Sequence, residues 1–340
     1  MPDLFSSDTL VGVIESLKRP QEFLLDLFFG TGDVNETSEE IHFDVRVGKR
    51  RISPFVSPLV EGKLVESLGH NTQTFKPAYV KDKRVFDPNR PLKRVAGERI
   101  SGSLSPQQRI QSVLVSELQD QTEMLTRRKE VMAAEALRTG KITVVGDGFP
   151  TTVVDFLRTA GHTVTLSGAS RWGQAGIVPI DDLETWMLTV LKASGAGVTD
   201  VVMDPDAWNF FINDTKTQKA IDRNLQQVNT LQIAPMVDAG GVFRGMIGNT
   251  RVWTYQDWYV DSAGVEQKML PANTVLLGSA RIEGIKHHGA IRDEDAGYQA
   301  VEFWPKSWVQ NDPSVRYLMM QSAPLVVPQR PDASFAAVVA

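Results

Sequence analysis

The sequence predicts an α+β protein, and three observations carry that prediction. One is a single, very long amphipathic helix pattern between residues 106 and 139. The second is a series of strand-like runs with two shorter helices after residue 178. The third is a stretch from 46 to 100 that is rich in Pro, Gly, Lys and Arg and poor in large apolar residues. Helices and strands segregated in this way favour α+β over alternating α/β.

The chain begins with an acidic stretch. Residues 1–45 carry acids from Asp3 to Asp44 against Lys18 and Arg19. The balance reverses in residues 46–109, where fourteen Lys and Arg meet five acids. Adjacent segments of opposite sign favour contact, within one chain or between chains; two independently solvated stretches are the alternative. The tract Ile52-Ser53-Pro54-Phe55-Val56-Ser57-Pro58-Leu59-Val60-Glu61-Gly62 cannot be an interior helix, because proline removes a donor and clashes. Short extended runs follow at Thr72–Phe75 and Tyr79–Val85. Such a segment cannot build its own core. It reads as an extended arm or long hairpin that borrows its partners.

Ser105 opens the long helix. It is the N-cap, Pro106 takes the first helical position, and Gln108 completes a capping box. Ile110, Val113, Leu114, Leu118, Leu125, Met132 and Leu137 recur near helical spacing, and Gly140 supplies the stop. The pattern spans about 50 Å at 1.5 Å per residue. A helix lying across a sheet fits better than a coiled coil, whose heptads Gln121 and Arg128 would interrupt.

A hairpin is expected next, from Ile142–Val145 and Val153–Phe156 around the Gly146–Pro150 turn. Pro179 starts a second helix with Leu183, Trp186, Met187, Val190 and Leu191 on its apolar face. Val198–Met203 reads as a buried strand, and Asp204 caps a third helix. Strand-like runs follow at Val242–Ile247, Thr250–Tyr255, Thr274–Leu277, Ala300–Trp304 and Val315–Met320. Most of the seven tryptophans fall on apolar faces, where core packing explains them.

Several function classes are excluded. With a net charge of −5, the chain is no generic nucleic-acid binder. It holds no cysteine, so disulfide scaffolds, thiol catalysis and cysteine metal sites are out. No apolar run reaches the roughly 18 residues that span a bilayer, so no membrane partner is expected. Val144-Val145-Gly146-Asp147-Gly148 suggests a nucleotide-dependent enzyme, but Thr151 stands where a third glycine belongs and Pro150 where the helix would begin. His287-His288 lack the spacing of a zinc helix, and Asp293-Glu294-Asp295 reads as a solvated loop. No catalytic, cofactor-binding or metal residue is assigned.

This order of segments resembles the major capsid proteins of tailed bacteriophages, specifically the lambda-type E-protein family. Phe55-Val56-Ser57-Pro58-Leu59-Val60-Glu61-Gly62 matches one family block, and Phe75-Lys76-Pro77-Ala78-Tyr79-Val80-Lys81-Asp82-Lys83 another. Leu270-Pro271-Ala272-Asn273-Thr274, Trp304-Pro305-Lys306-Ser307-Trp308-Val309, Asp312-Pro313 and Gln321-Ser322-Ala323-Pro324-Leu325 follow in family order.

The resemblance implies four parts: an N-terminal arm (1–45), an extended E-loop (46–95), a peripheral domain (96–175) with its spine helix at 106–139, and an axial domain (176–340). Part of 300–325 is expected to return to the peripheral domain. It implies a structural protein, not an enzyme, that assembles into hexamers and pentamers of an icosahedral shell around double-stranded DNA. An encapsulin-like nanocompartment shell is the alternative. Expected partners are further copies of the chain, a separate scaffolding protein, a portal protein and, in some relatives, a small decoration protein. Assembly is expected in the host bacterial cytoplasm and residence in the virion capsid. On this reading Arg50, Arg51, Lys81, Lys83 and Arg84 are expected to pair across subunits with Glu36, Glu39, Glu40 and Asp44.

Overall fold

The computed structural model describes residues 5–17, 22–46, 52–64, 70–86, 90–95, 98, 100, 102, 104–146, 148–219, 237–238, 240–312 and 315–340. Helix α1 (Ser7–Ser16) is capped by the Ser6 hydroxyl, which accepts from the Thr9 N–H. A short helix α2 (Leu24–Phe28) and strands β1 (Asp33–Glu36) and β2 (Ile41–Arg46) follow. Strand β3 (His70–Phe75) pairs antiparallel with β2, from Ile41↔Phe75 to Arg46↔His70, and β4 (Val80–Phe86) comes next.

The spine helix α3 runs from Pro106 to Thr139, as the capping signals predict. The Ser105 hydroxyl accepts from the Gln108 N–H, and the Gln108 side chain accepts from the Ser105 N–H. Gly140 ends it at φ 71°, a left-handed conformation that glycine adopts without strain. The buried stripe holds Leu114, Leu118, Leu125, Met132 and Leu137. Gln121, expected to interrupt it, is itself buried and donates to the Asp82 carbonyl at 3.1 Å.

Beyond the spine, β5 (Lys141–Gly146) and β6 (Phe149–Asp155) form the expected hairpin. Strand β7 (Thr163–Thr165), helix α4 (Pro179–Ser194), strand β8 (Asp200–Met203) and helix α5 (Pro205–Asn213) follow. Strands β9 (Val237–Asp238), β10 (Gly241–Ile247), β11 (Thr250–Tyr255) and β14 (Thr274–Gly278) flank the small hairpin β12 (Trp258–Val260) and β13 (Glu266–Lys268). The chain ends with β15 (Gly284–Gly289), β16 (Trp304–Gln310), β17 (Val315–Ser322), β18 (Pro324–Pro328) and β19 (Ser334–Val338).

Seven strands make the central sheet, in the order β7-β19-β14-β8-β11-β10-β9. It is covered on both faces, and strand alternation sorts the core accordingly. Val201, Met203, Val275 and Leu277 pack under α4 and α5 with Trp172, Trp186 and Phe211. Val202, Trp253, Tyr255 and Leu276 face the other way, toward α2 and the C-terminal half of the spine. A separate cluster joins Leu10 of α1 and Leu114 and Leu118 of the spine to Leu318 and Met320 of β17.

Three expectations change. The segment expected as an arm contains core residues: Leu24, Leu25, Phe28 and Phe29 are buried, each worth about 1.5–3 kcal/mol. Their run is too short for a helical period to reveal it. The strand expected at Ala300–Trp304 begins at Trp304; Ala300 makes an isolated bridge with Ala290. Strand β7, on the peripheral side of the expected boundary at 175, pairs with β19 in the central sheet.

Candidate assembly interface

The loop at 52–64 is held out from the body. Pro54 and Pro58 deny it helical hydrogen bonds, and among the described residues no strand partner joins it. Its apolar side chains are uncovered: Phe55, Leu59 and Leu64 are 103%, 95% and 102% exposed. Contiguous exposed apolar surface of this kind marks an interaction site.

Strand β4 divides the basic residues into two sets. Asp82, Arg84 and Phe86 face the spine helix; Lys81, Lys83 and Val85 alternate to the open side. Arg84 reaches Glu117 at 2.6 Å, Asp120 at 2.7 Å and Asp82 at 3.2 Å. Lys83 lies over the Tyr317 ring at 3.9 Å and the Trp308 ring at 5.4 Å, and those rings stack on each other. Lys81 lies over Tyr79 at 5.3 Å. Thus Arg84 is neutralised within its own chain, whereas Lys81 and Lys83 have aromatic neighbours and no acidic ones among the described residues.

Most of the predicted acids also have partners in the chain. Glu36 accepts from His287 Nδ1 at 2.7 Å and from the His42 N–H at 2.8 Å. Glu39 pairs with Lys76 and, at 3.4 Å, with Arg292; the Lys76 contact holds its carboxyl below the usual range. Asp44 accepts from the Thr72 hydroxyl across β2–β3. Glu40 is exposed. Arg50 and Arg51 lie outside the described residues.

The groups that hold the frame rigid came from no motif. Glu130 of the spine is buried, and its carboxylate accepts from the N–H groups of Leu24 and Leu25 and from the Tyr255 hydroxyl. Burial pushes its pKa up to about 7. Lys129, beside it, pairs with Glu302 at 2.5 Å and Glu22 at 3.2 Å. Burial alone would depress that ammonium, but the two carboxylates outweigh it. At the spine's C-terminus, the Arg158 guanidinium donates to the carbonyls of Leu137 and Arg138 and to Thr163 Oγ1. Before its N-terminus, Glu98 accepts from Arg109 and from the N–H groups of Val95 and Leu104, and Arg109 pulls its pKa down to about 2.

The enzyme-like features resolve into structure. Gly146 and Gly148 flank a hairpin turn, and strand β6 follows where a nucleotide fold needs a helix. His287 and His288 lie in β15. Asp293, expected in a solvated loop, instead anchors Lys306 at 2.8 Å and Gln321 at 2.9 Å. No cluster of three or more His, Cys, Asp or Glu able to hold a metal occurs among the described residues. No described helix is long and apolar enough to cross a membrane.

A family model described as phage major capsid protein E matches residues 6–339. The major capsid protein of Escherichia phage lambda is 31% identical over 305 residues, covering 87% of this chain and 88% of that one. That of Escherichia phage N15 is 30% identical over 338 residues, covering 97% of each. Among solved structures, a capsid protein from a prophage of E. coli CFT073 superposes with a TM-score of 0.75 at 21% identity, covering 99% of both chains. A subunit of the mature bacteriophage PhiM1 capsid gives 0.50 at 11% identity, covering 95% of this chain and 88% of that one.

Proposed function

Because this chain belongs to the phage major capsid protein E family, we infer that it is the repeating structural subunit of a lambda-like icosahedral head. It assembles with further copies of itself into hexamers and pentamers of the shell and resides in the virion capsid. One observation carries the link to this chain's own structure. The apolar loop at 52–64 has no cover among the described residues, whereas the described helices and sheets pack on buried apolar clusters. A surface of that kind suits a subunit completed by its neighbours.

The chain acts without a catalytic step. It assembles in the host cytoplasm on a separate scaffolding protein, joins a portal protein at one vertex and encloses double-stranded DNA without reading its sequence. A small decoration protein joins some shells of this type. The division into arm, E-loop, peripheral and axial domains is kept with two changes: residues 24–29 of the arm belong to the core, and β7 belongs to the axial sheet. Arg50, Arg51, Lys81 and Lys83 pair across subunits with exposed acids such as Glu40, while Arg84 contributes through its own spine helix. The net charge of −5 supports the DNA reading, since a strongly basic wall would bind phosphates and resist packing.

Negative-stain electron microscopy of the chain, expressed alone and with its neighbouring genes, tests this. Closed shells or hexameric rings are expected. A monomer that never assembles would overturn the reading. Shells that carry a protein cargo and never DNA would replace it with a nanocompartment.

A further inference from the structure

Strand β1 is fastened to the body by polar contacts alone. It is the edge of a three-stranded sheet and pairs in parallel with β15, from Asp33↔Lys286 to Glu36↔Gly289. Asp33, Val34 and Asn35 are exposed, and Glu36 is half-buried. Two backbone bonds lead into the strand: the Thr31 N–H donates to the Gly284 carbonyl at 3.3 Å, and the Lys286 N–H to the Gly32 carbonyl at 3.2 Å. Its side-chain fastenings are ionic. Glu36 holds His287 Nδ1 at 2.7 Å, and Asp33 stands 3.9 Å from Lys286. On the other side of β15, by contrast, every residue of β18 is buried.

The strand beneath carries a buried histidine on the face that β1 borders. His288 is 2% exposed and lies opposite Asn35 in the ladder. Alternation puts it on the same face as Lys286, away from His287. Charged groups reach it from every side but one. Lys129 comes from the spine, Glu302 from the segment before β16, Lys286 from β15 and Asp33 from β1. Glu22 joins the two lysines, at 3.2 Å from Lys129 and 3.5 Å from Lys286. Strand β18, Pro324–Pro328, brings no charge. His288 Nδ1 has no hydrogen-bond partner among the described residues. Burial holds the imidazole below the usual histidine range. Lys129 and Lys286 reinforce that shift, and Glu302 and Asp33 oppose it.

A buried imidazolium needs water. The spine and β18 resist opening, because both bury apolar side chains in the core. Strand β1 buries none, so its departure is the least costly way to hydrate His288. We propose that β1 is a proton-operated strap, which detaches from β15 when His288 takes up a proton while the spine and β18 stay in place. Detachment leaves the β15 edge from Gly284 to Gly289 open to another strand. It also withdraws Glu36, which joins β1 to the His42 N–H of β2 as well as to His287. With β1 detached, His288 titrates near its ordinary 6.5, so acid favours the open form and neutral pH the closed one. The device belongs to the subunit and does not depend on the assembly reading.

Hydrogen exchange of the full-length chain, read by mass spectrometry and corrected for intrinsic rates, tests this. Between pH 7.5 and pH 5.5, protection in peptides covering β1 and β15 should fall about tenfold. Peptides from the spine and β18 should keep theirs. His288→Gln and His288→Phe remove the proton site, and whichever of them folds by near-ultraviolet circular dichroism should show the same β1 protection at both pH values. A second readout needs no variant. Slow exchange of the His288 imidazole C2 proton reports its titration in the parent, and its midpoint should coincide with the loss of β1 protection. The proposal is overturned if β1 protection in the parent does not change, or if the loss spreads to the spine and β18. It is equally overturned if a folded His288 variant loses as much as the parent, or if the two midpoints differ by more than about one pH unit.

Discussion

The Glu130 carboxylate, projecting from the middle of the spine helix, accepts the backbone N–H of Leu24 at 2.7 Å. That bond and its companion to the Leu25 N–H cap the first turn of α2 from another element. Phe23, just before it, stacks on Tyr255 at 5.0 Å, and Tyr255 donates to the same carboxylate. One buried acid thus ties the N-terminal segment, the spine and the central sheet together.

Glu130 should make stability depend on pH. Burial raises its pKa to about 7 in the folded state, against 4.5 for the free side chain. Its contribution is complete below about 4.5 and is lost as pH rises through 7. Urea unfolding of the parent and of Glu130→Gln should diverge by on the order of 3 kcal/mol between pH 4.5 and 8, with the parent losing ground. Buried His288 acts in the opposite sense: its pKa is depressed, so its contribution is lost as pH falls through the histidine range. It is common to both proteins and cancels in the comparison. Parallel pH curves would refute the assignment.

Arg158 should be needed for the spine to dock on the central sheet. It serves two carbonyls at the helix end, and its aliphatic stem packs under Gly140. Arg158→Ala leaves those carbonyls short of a donor, at about 1–3 kcal/mol each. Denaturant titration should show a loss on the order of 3 kcal/mol. A change below about 0.5 kcal/mol would mean that water replaces the guanidinium freely.

Gly284 should tolerate no side chain. A Cβ there would collide with the Phe28 carbonyl oxygen and the Phe29 ring, so α2 would have to lift from β15. Gly284→Ala should destabilise by about 1–3 kcal/mol, as overpacking does. It should also speed proteolysis within residues 22–30. Unchanged protease resistance would show that the segment can shift without leaving.

Arg50 and Arg51 should matter for assembly rather than folding. Joint reversal, Arg50→Glu with Arg51→Glu, should lower shell yield while the thermal midpoint of the monomer stays within about 2 °C. Sedimentation separates shells from subunits. Normal shells would remove these two residues from the interface.

Much of the frame was legible in the residues because its signals are local. Ser105, Pro106, Gln108 and Gly140 bound the spine helix to the residue, since caps act on neighbouring backbone groups. Helices α4 and α5 were legible for the same reason. The N-terminal core segment was not. Five residues of helix carry too little period, and their burial depends on Glu130 and Tyr255, more than a hundred positions away. Strands β18 and β19 were also missed, because largely apolar runs without alternation do not separate strand from helix.

The sequence by itself determined the α+β class, the length and limits of the spine, the exposed character of the 52–64 tract and the family. It determined them through composition, caps and motifs, which need no knowledge of what lies opposite. Tertiary structure decided which charges are free. Arg84 and Lys83 are neighbours in sequence, yet strand alternation turns one onto Glu117 and Asp120 and the other toward Tyr317. Likewise, Lys81 and Arg292 come from distant elements and meet only because β4 and the segment after β15 pack around Tyr79. Charge is written in the chain; whether it is spent inside the subunit or left for a partner depends on which distant backbone packs beside it.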